Sequence, residues 1–253
     1  MALKFLIITQ ARTTSTRLPE KVLKTINGKT LLEIHLNRIL KVKHDFTLVL
    51  ATTTNTEDDK IKSLGESLNI QTFRGAEDDV LDRFYQASKN IDCDYVVRLT
   101  SDCPLIDSQL IDQLFDIVIQ NPKIDYLSNT IGETYPDGQD IEIFKKQALT
   151  LAWENAHLGS EREHVTLYIR NHPELFEIMG VDFINNNYKN IRMTVDELED
   201  FILIEKLIMQ YGINKDWQFY ADKIIEENLA TINNKHTRNE GLKKSLKEDL
   251  NDK

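Results

Sequence analysis

The sequence predicts an α/β fold, a mostly parallel central sheet with helices on both faces. Three observations lead there. Through residue 120, short apolar runs alternate with stretches of helical periodicity, giving strand then helix four times over. At 253 residues, 41% hydrophobic and 28% charged, the chain has the composition of one large globular domain or two small ones. A cationic loop directly follows the first strand, where an open α/β sheet binds an anionic ligand.

The elements follow in order. Phe5, Leu6, Ile7 and Ile8 form a buried strand over 5–8. The basic stretch over 10–23 places Arg12, Arg17 and Lys21 among hydroxyl side chains, with Leu18-Pro19 breaking regular structure. Asn27-Gly28 marks a turn before a helix from Leu31 to Leu40. A second buried strand covers 46–51, and a helix over 57–68 takes Thr56 as its N-cap. A short strand at 70–74, a helix at 80–90 and a strand at 95–99 come next. That last strand runs into Thr100-Ser101-Asp102-Cys103-Pro104, followed by a helix over 108–120. Beyond it, strands at 125–129 and 141–144 flank the turn-rich segment 135–140. Helices are expected over 146–155, 161–170, 201–211 and 217–228, and a late strand over 191–195 ends at Asp196. Residues 242–253 are charged and show no clear apolar face, which predicts a frayed helix or a disordered tail.

A net charge of −10 argues against unspecific binding to nucleic acid or an anionic membrane. A polyanionic ligand therefore needs a local concentration of cations, which the basic stretch supplies. Cys93 and Cys103 make no CxxC pair or zinc cluster, which fits a reduced, cytoplasmic protein. Met1-Ala2-Leu3-Lys4 leads straight into a strand without a signal-peptide pattern. No apolar run approaches the roughly 20 residues that span a bilayer.

Familiar nucleotide motifs are missing. Gly28-Lys29-Thr30 mimics the end of a Walker A loop, but Leu23 stands where the earlier glycine is required. No G-x-G-x-x-G occurs, so a dinucleotide site is not expected. His157, His164 and His172 fit no zinc motif, and Cys103 reads as an inert thiol. The carboxylates say more. If the strands before Asp102 and Asp196 are parallel neighbours, both side chains open onto the crevice of the basic stretch. Two carboxylates facing phosphates form a natural Mg²⁺ site. The alternative is that each aspartate caps the helix after it.

Together these residues resemble the cytidylyltransferases that act as CMP–sugar-acid synthetases, nearest the spore-coat polysaccharide type. The segment 11–23 is close to that family's A-R-x-x-S-x-R-L-P-x-K-x-L signature. Arg98-Leu99-Thr100-Ser101-Asp102-Cys103-Pro104-Leu105 resembles its metal-binding segment, with Ser101 where glycine is usual. Tyr135-Pro136-Asp137-Gly138-Gln139-Asp140-Ile141-Glu142 is similar to P-D-G-x-D-x-E, and the segments 161–166 and 193–201 fit the same branch. Asp82-Arg83 only partly echoes the Gly-Thr-Asp-Arg of the lipopolysaccharide-type relatives.

The resemblance implies a Rossmann-like nucleotide-diphospho-sugar transferase fold over residues 1–232, with a hairpin and dimerisation insert at about 125–172 and a charged tail at 233–253. It implies a homodimer, with Mg²⁺ on Asp102 and Asp196. Arg12, Arg17 and Lys21 would grip the triphosphate of CTP, while Gln10, Ala11, Arg83 and Arg98 lie near the nucleotide. Asp137, Asp140, Glu142, Arg162 and His164 fall at acceptor-binding and dimer-forming elements. The expected reaction is transfer of CMP from CTP to a hydroxyl of an acidic sugar or related acceptor, releasing pyrophosphate. A glycosyltransferase would usually carry Asp-x-Asp where this chain has Asp102-Cys103-Pro104. A non-catalytic nucleotide-binding homologue is the third possibility, set against the joint presence of Arg12, Arg17, Lys21, Asp102 and Asp196.

Overall fold

A computed structural model describes residues 2–251. The elements run β1 (Phe5–Gln10), β2 (Thr25–Ile26), β3 (Lys29–Thr30), α1 (Leu31–Ile39), β4 (Phe46–Thr53), α2 (Asp59–Ser67), β5 (Gln71–Gly75) and α3 (Val80–Ser88). They continue with β6 (Tyr95–Thr100), α4 (Ser108–Gln120), β7 (Tyr126–Ser128), β8 (Glu142–Lys145), α5 (Lys146–Asn155), α6 (Gly159–Glu163) and α7 (Leu167–Asn171). β9 (Ile178–Gly180), α8 (Leu198–Tyr211), α9 (Trp217–Glu226) and α10 (Glu240–Asn251) follow.

Seven strands form the main sheet in the order β5-β4-β1-β6-β8-β7-β9. β1 is central and parallel to both neighbours, with Gln10 level with Ala51 on one side and Thr100 on the other. β8 reverses direction against β6 and β7, which makes the sheet mixed. The apolar runs are continuous because both sheet faces are covered. Phe5 and Ile7 pack into one core with α1, α4, α8 and α9, while Leu6 and Ile8 pack into the opposite core with α3 and α5. Among the described residues, no helix is long and apolar enough to cross a membrane.

Four local expectations are corrected. Residues 191–195 are not a strand of the sheet. Their backbone bonds run to two different partners, Met193 N to Asp137 O at 2.7 Å and Val195 N to Asp102 O at 2.8 Å, and Arg192 makes only an isolated bridge with Asp137. A segment that changes partner every second residue builds no ladder. The helix expected over 161–170 is broken into α6 and α7 at Val165, whose φ of +41° no continuous helix accepts. Thr56 is not the cap of α2. A 3₁₀ turn, Thr56–Asp58, precedes that helix, and the fully buried Asp58 turns inward to accept from Thr13 N at 2.8 Å. The charged C-terminal stretch is neither frayed nor disordered up to residue 251, because α10 docks against α6.

Candidate active site

The site forms where β1 and β6 end. The loop after β1 is held from below by Asp58, which accepts from both the backbone N and the hydroxyl of Thr13 at 2.8 and 2.7 Å. The turn after β6 is held by His35. Its Nδ1 donates to Cys103 O, and its Nε2 accepts from the Thr9 hydroxyl, both at 2.8 Å. Burial pushes the His35 pKa down to about 4, so the ring is neutral and ties the basic loop's strand to the Asp102 turn.

That value lies below the ordinary 6.5, so the unfolded chain takes up the proton first between the two. Stability is expected to fall as pH drops through that window, by about 3 kcal/mol in all. Urea midpoints measured from pH 7 to pH 4 will show this slope, and His35→Gln is expected to flatten it.

Lys21 closes the centre of the site. After Glu20, in the left-handed region at φ +53°, a single 3₁₀ turn carries Lys21 inward. Its Nζ lies 2.9 Å from Asp102 Oδ2 and 2.7 Å from Asp196 Oδ1. Burial alone would lower the pKa of this ammonium, but the Asp102 and Asp196 charges outweigh it and hold the pKa above its ordinary value. The Asp102 carboxyl, which burial would raise, is held well below the usual range by Lys21. Neither aspartate caps a helix, since Asp107 caps α4 and Glu197 occupies the cap position of α8. Although 191–195 is not a sheet strand, the bond from Val195 N to Asp102 O still brings the two carboxylates together.

Arg17 Nη2 contacts Asp196 Oδ1 at 2.9 Å, and Arg12 Nη1 stands at the rim, 3.7 Å from Glu77. One central residue escaped the sequence reading. Arg192 binds Asp137 at 2.6 Å, Asp196 at 3.0 Å and Asp200 at 2.9 Å, locking the second carboxylate in place. A lone arginine carries no motif, and only its three aspartates, spread over 137–200, reveal it.

These groups line a cleft of 620 Å³, and Gln10, Ala11, Arg12, Arg17, Lys21, Arg83, Arg98, Asp102 and Asp196 all face it. Gln10 Oε1, Arg83 Nε and Arg98 Nε are buried there without a hydrogen-bond partner. An acceptor and two donors left unsatisfied on residues that line the cleft suit a polar ligand, because such atoms are otherwise costly to bury. A second cavity of 240 Å³ adjoins the cleft and shares Arg98, Asp102, His164 and Asp196 with it. Asp137, Asp140 and Glu142 line this second cavity. Burial, with the neighbouring Asp140 charge, pushes the Asp137 pKa up to about 7. Glu142 pairs with Arg98 and accepts from the Tyr126 hydroxyl at 2.7 Å. Arg162 lines neither cavity. It grips Asp79 at 2.6 Å and the Trp153 carbonyl at 2.9 Å instead.

Among the described residues, no three metal-ligating side chains cluster. The hard carboxylate oxygens of Asp102 and Asp196 nevertheless fit magnesium, which binds through one or two carboxylates plus substrate phosphates. Lys21 now occupies the space between them.

A doubly covered α/β sheet, with a cation-walled cleft where β1 and β6 end and the carboxylates of Asp102 and Asp196 brought together there, has the architecture of a nucleotidyltransferase. The cytidylyltransferase family profile matches residues 6–240. The chain is 33% identical over 221 residues to the spore coat polysaccharide biosynthesis protein SpsF of Bacillus subtilis, covering 83% of this chain and 89% of that one. It is 27% identical over 220 residues to the 3-deoxy-manno-octulosonate cytidylyltransferase of Francisella tularensis subsp. novicida, covering 81% and 85%. The solved structure of a cytidylyltransferase from Leptospira borgpetersenii superposes with a TM-score of 0.86 at 31% identity, covering 93% of this chain and 99% of that one. The chain belongs to the cytidylyltransferase family.

Proposed function

We propose that this enzyme transfers CMP from CTP to a hydroxyl of an acidic sugar, for the synthesis of a surface polysaccharide. The observation that carries this reading is the pair Asp102 and Asp196, which line both cavities and are bridged by Lys21 from the larger one. The larger cleft takes CTP and the smaller one the acceptor. The unsatisfied acceptor of Gln10 and donors of Arg83 and Arg98 suit the base, which carries both an amino donor and ring acceptors.

The acceptor oxygen attacks the α-phosphorus, the bond to the bridging oxygen breaks, and pyrophosphate leaves while the hydroxyl proton is released. Arg12, Arg17 and Lys21 neutralise the leaving pyrophosphate, and the two cavities hold the reacting atoms in line. Asp102 and Asp196 would hold magnesium, which when bound would supply Lewis acidity toward the α-phosphate. Asp137, Asp140, Glu142 and His164 orient the acceptor. The catalytic unit in this reading spans 1–232 and works in the cytoplasm as a homodimer built through residues 125–172, on the strength of the family likeness.

A pyrophosphate-release screen of four nucleoside triphosphates against a panel of acidic sugars tests the reading. Release is expected only with CTP plus an acidic sugar, and is expected to stop when EDTA removes the divalent cation. Consumption of a nucleotide sugar with release of free nucleotide would establish a glycosyltransferase instead.

A further inference from the structure

The helix that closes the cleft lies almost wholly beyond the match to the family profile, which ends at residue 240, where α10 begins. It is held by polar contacts. Ser245 Oγ donates to Glu163 at 2.5 Å and meets His164 Nε2 at 3.1 Å, while Ser160 N donates to Asp249 at 3.1 Å. Ser245 is its one buried residue, and Leu246 and Leu250 are 41% and 71% exposed. A few polar contacts contribute little each, and with a single buried residue the helix is expected to be held less firmly than the core elements.

Its first residue reaches into the cationic wall. Glu240 Oε2 lies 3.4 Å from Arg17 Nη1, whose guanidinium also meets Asp196 at 2.9 Å and Glu197 at 3.5 Å. A guanidinium whose fork is filled by carboxylates binds phosphate only by exchanging one of them. Asp196 is also locked by Arg192, and Glu197 caps α8, whereas Glu240 belongs to the weakly held helix. A fixed point lies just before it. Arg238 pairs with Asp140 and donates to Tyr135 O at 3.1 Å, and Asn239 turns the chain at φ +62°.

We propose that α10 is a lid that polyphosphate displaces: Glu240 holds Arg17 in place of a phosphate oxygen, and a bound triphosphate expels it and swings the helix about Arg238. This rests on the basic loop being the polyphosphate site, but not on the identity of the base or the acceptor.

The test is calorimetric titration of the full chain with inorganic tripolyphosphate, which carries no base. Glu240→Gln keeps the acceptor oxygen that caps Thr237 and removes the competing charge. It is expected to tighten tripolyphosphate binding about two- to fivefold. Tripolyphosphate is also expected to speed tryptic cleavage of the wild-type chain after Lys243 and Lys244 in α10. Equal or weaker binding by Glu240→Gln, or protection of these cleavage sites, would overturn the lid. If tripolyphosphate binds and behaves this way while CTP does not bind, the lid stands and the CTP reading falls. If neither binds, the polyphosphate site falls and the lid with it.

Discussion

Lys21→Ala is expected to lower kcat/KM for pyrophosphate release by about 10²–10³, the usual cost of removing one donor aimed at developing transition-state charge. The geometry points to this residue before either arginine. Arg12 and Arg17 are substantially exposed, with side chains 42% and 37% accessible, whereas Lys21 is 11% accessible and central. The variant also leaves Asp102 without its cation, and removing one partner of a buried pair commonly destabilises a fold by several kcal/mol. The double variant Lys21→Ala/Asp102→Asn separates the two effects. Its thermal midpoint is expected to recover while its activity stays lost. Turnover near that of the wild type in a folded Lys21→Ala protein would place the triphosphate elsewhere.

Asp102→Asn is expected to abolish CTP-dependent pyrophosphate release with the fold intact. Asparagine keeps the volume of the side chain but loses the charge that holds Lys21 and that, in the proposed reading, would bind magnesium. The turn itself rests on backbone and His35 contacts, namely Ser101 N to Gln10 O at 3.2 Å and His35 Nδ1 to Cys103 O at 2.8 Å. Circular dichroism should therefore match the wild type, and magnesium titration of the CTP-loaded enzyme should lose its saturating phase. Normal turnover in this variant would remove Asp102 from the metal assignment.

What the sequence discloses depends on how each element is held. β1, β4 and β6 are legible because burial on both faces writes apolar runs into the chain. The segment 191–195 misleads for an instructive reason. Ile191, Met193 and Val195 enter one core while Arg192 and Thr194 line the second cavity, so the alternation is real and only the ladder is missing. β9 has three residues, too few for any period to show. The docking of α10 leaves no apolar stripe to read, since serine, glutamate and aspartate make its contacts. Of Arg162 and His164, two positions apart in the chain, only His164 lines the cavities, because neighbouring positions on a turn face different ways.

The bridge made by Lys21 also sets an order of assembly. Its two partners lie 81 and 175 residues further along the chain. The parallel half of the sheet, β1 and β4 to β6, is complete by residue 100, yet the centre it opens onto waits for residue 196. Contacts so distant along the chain carry the largest loop-closure cost and close late. An emerging polypeptide can therefore bury most of its strands while still lacking a place for substrate, and catalytic competence arrives as one of the last events of folding.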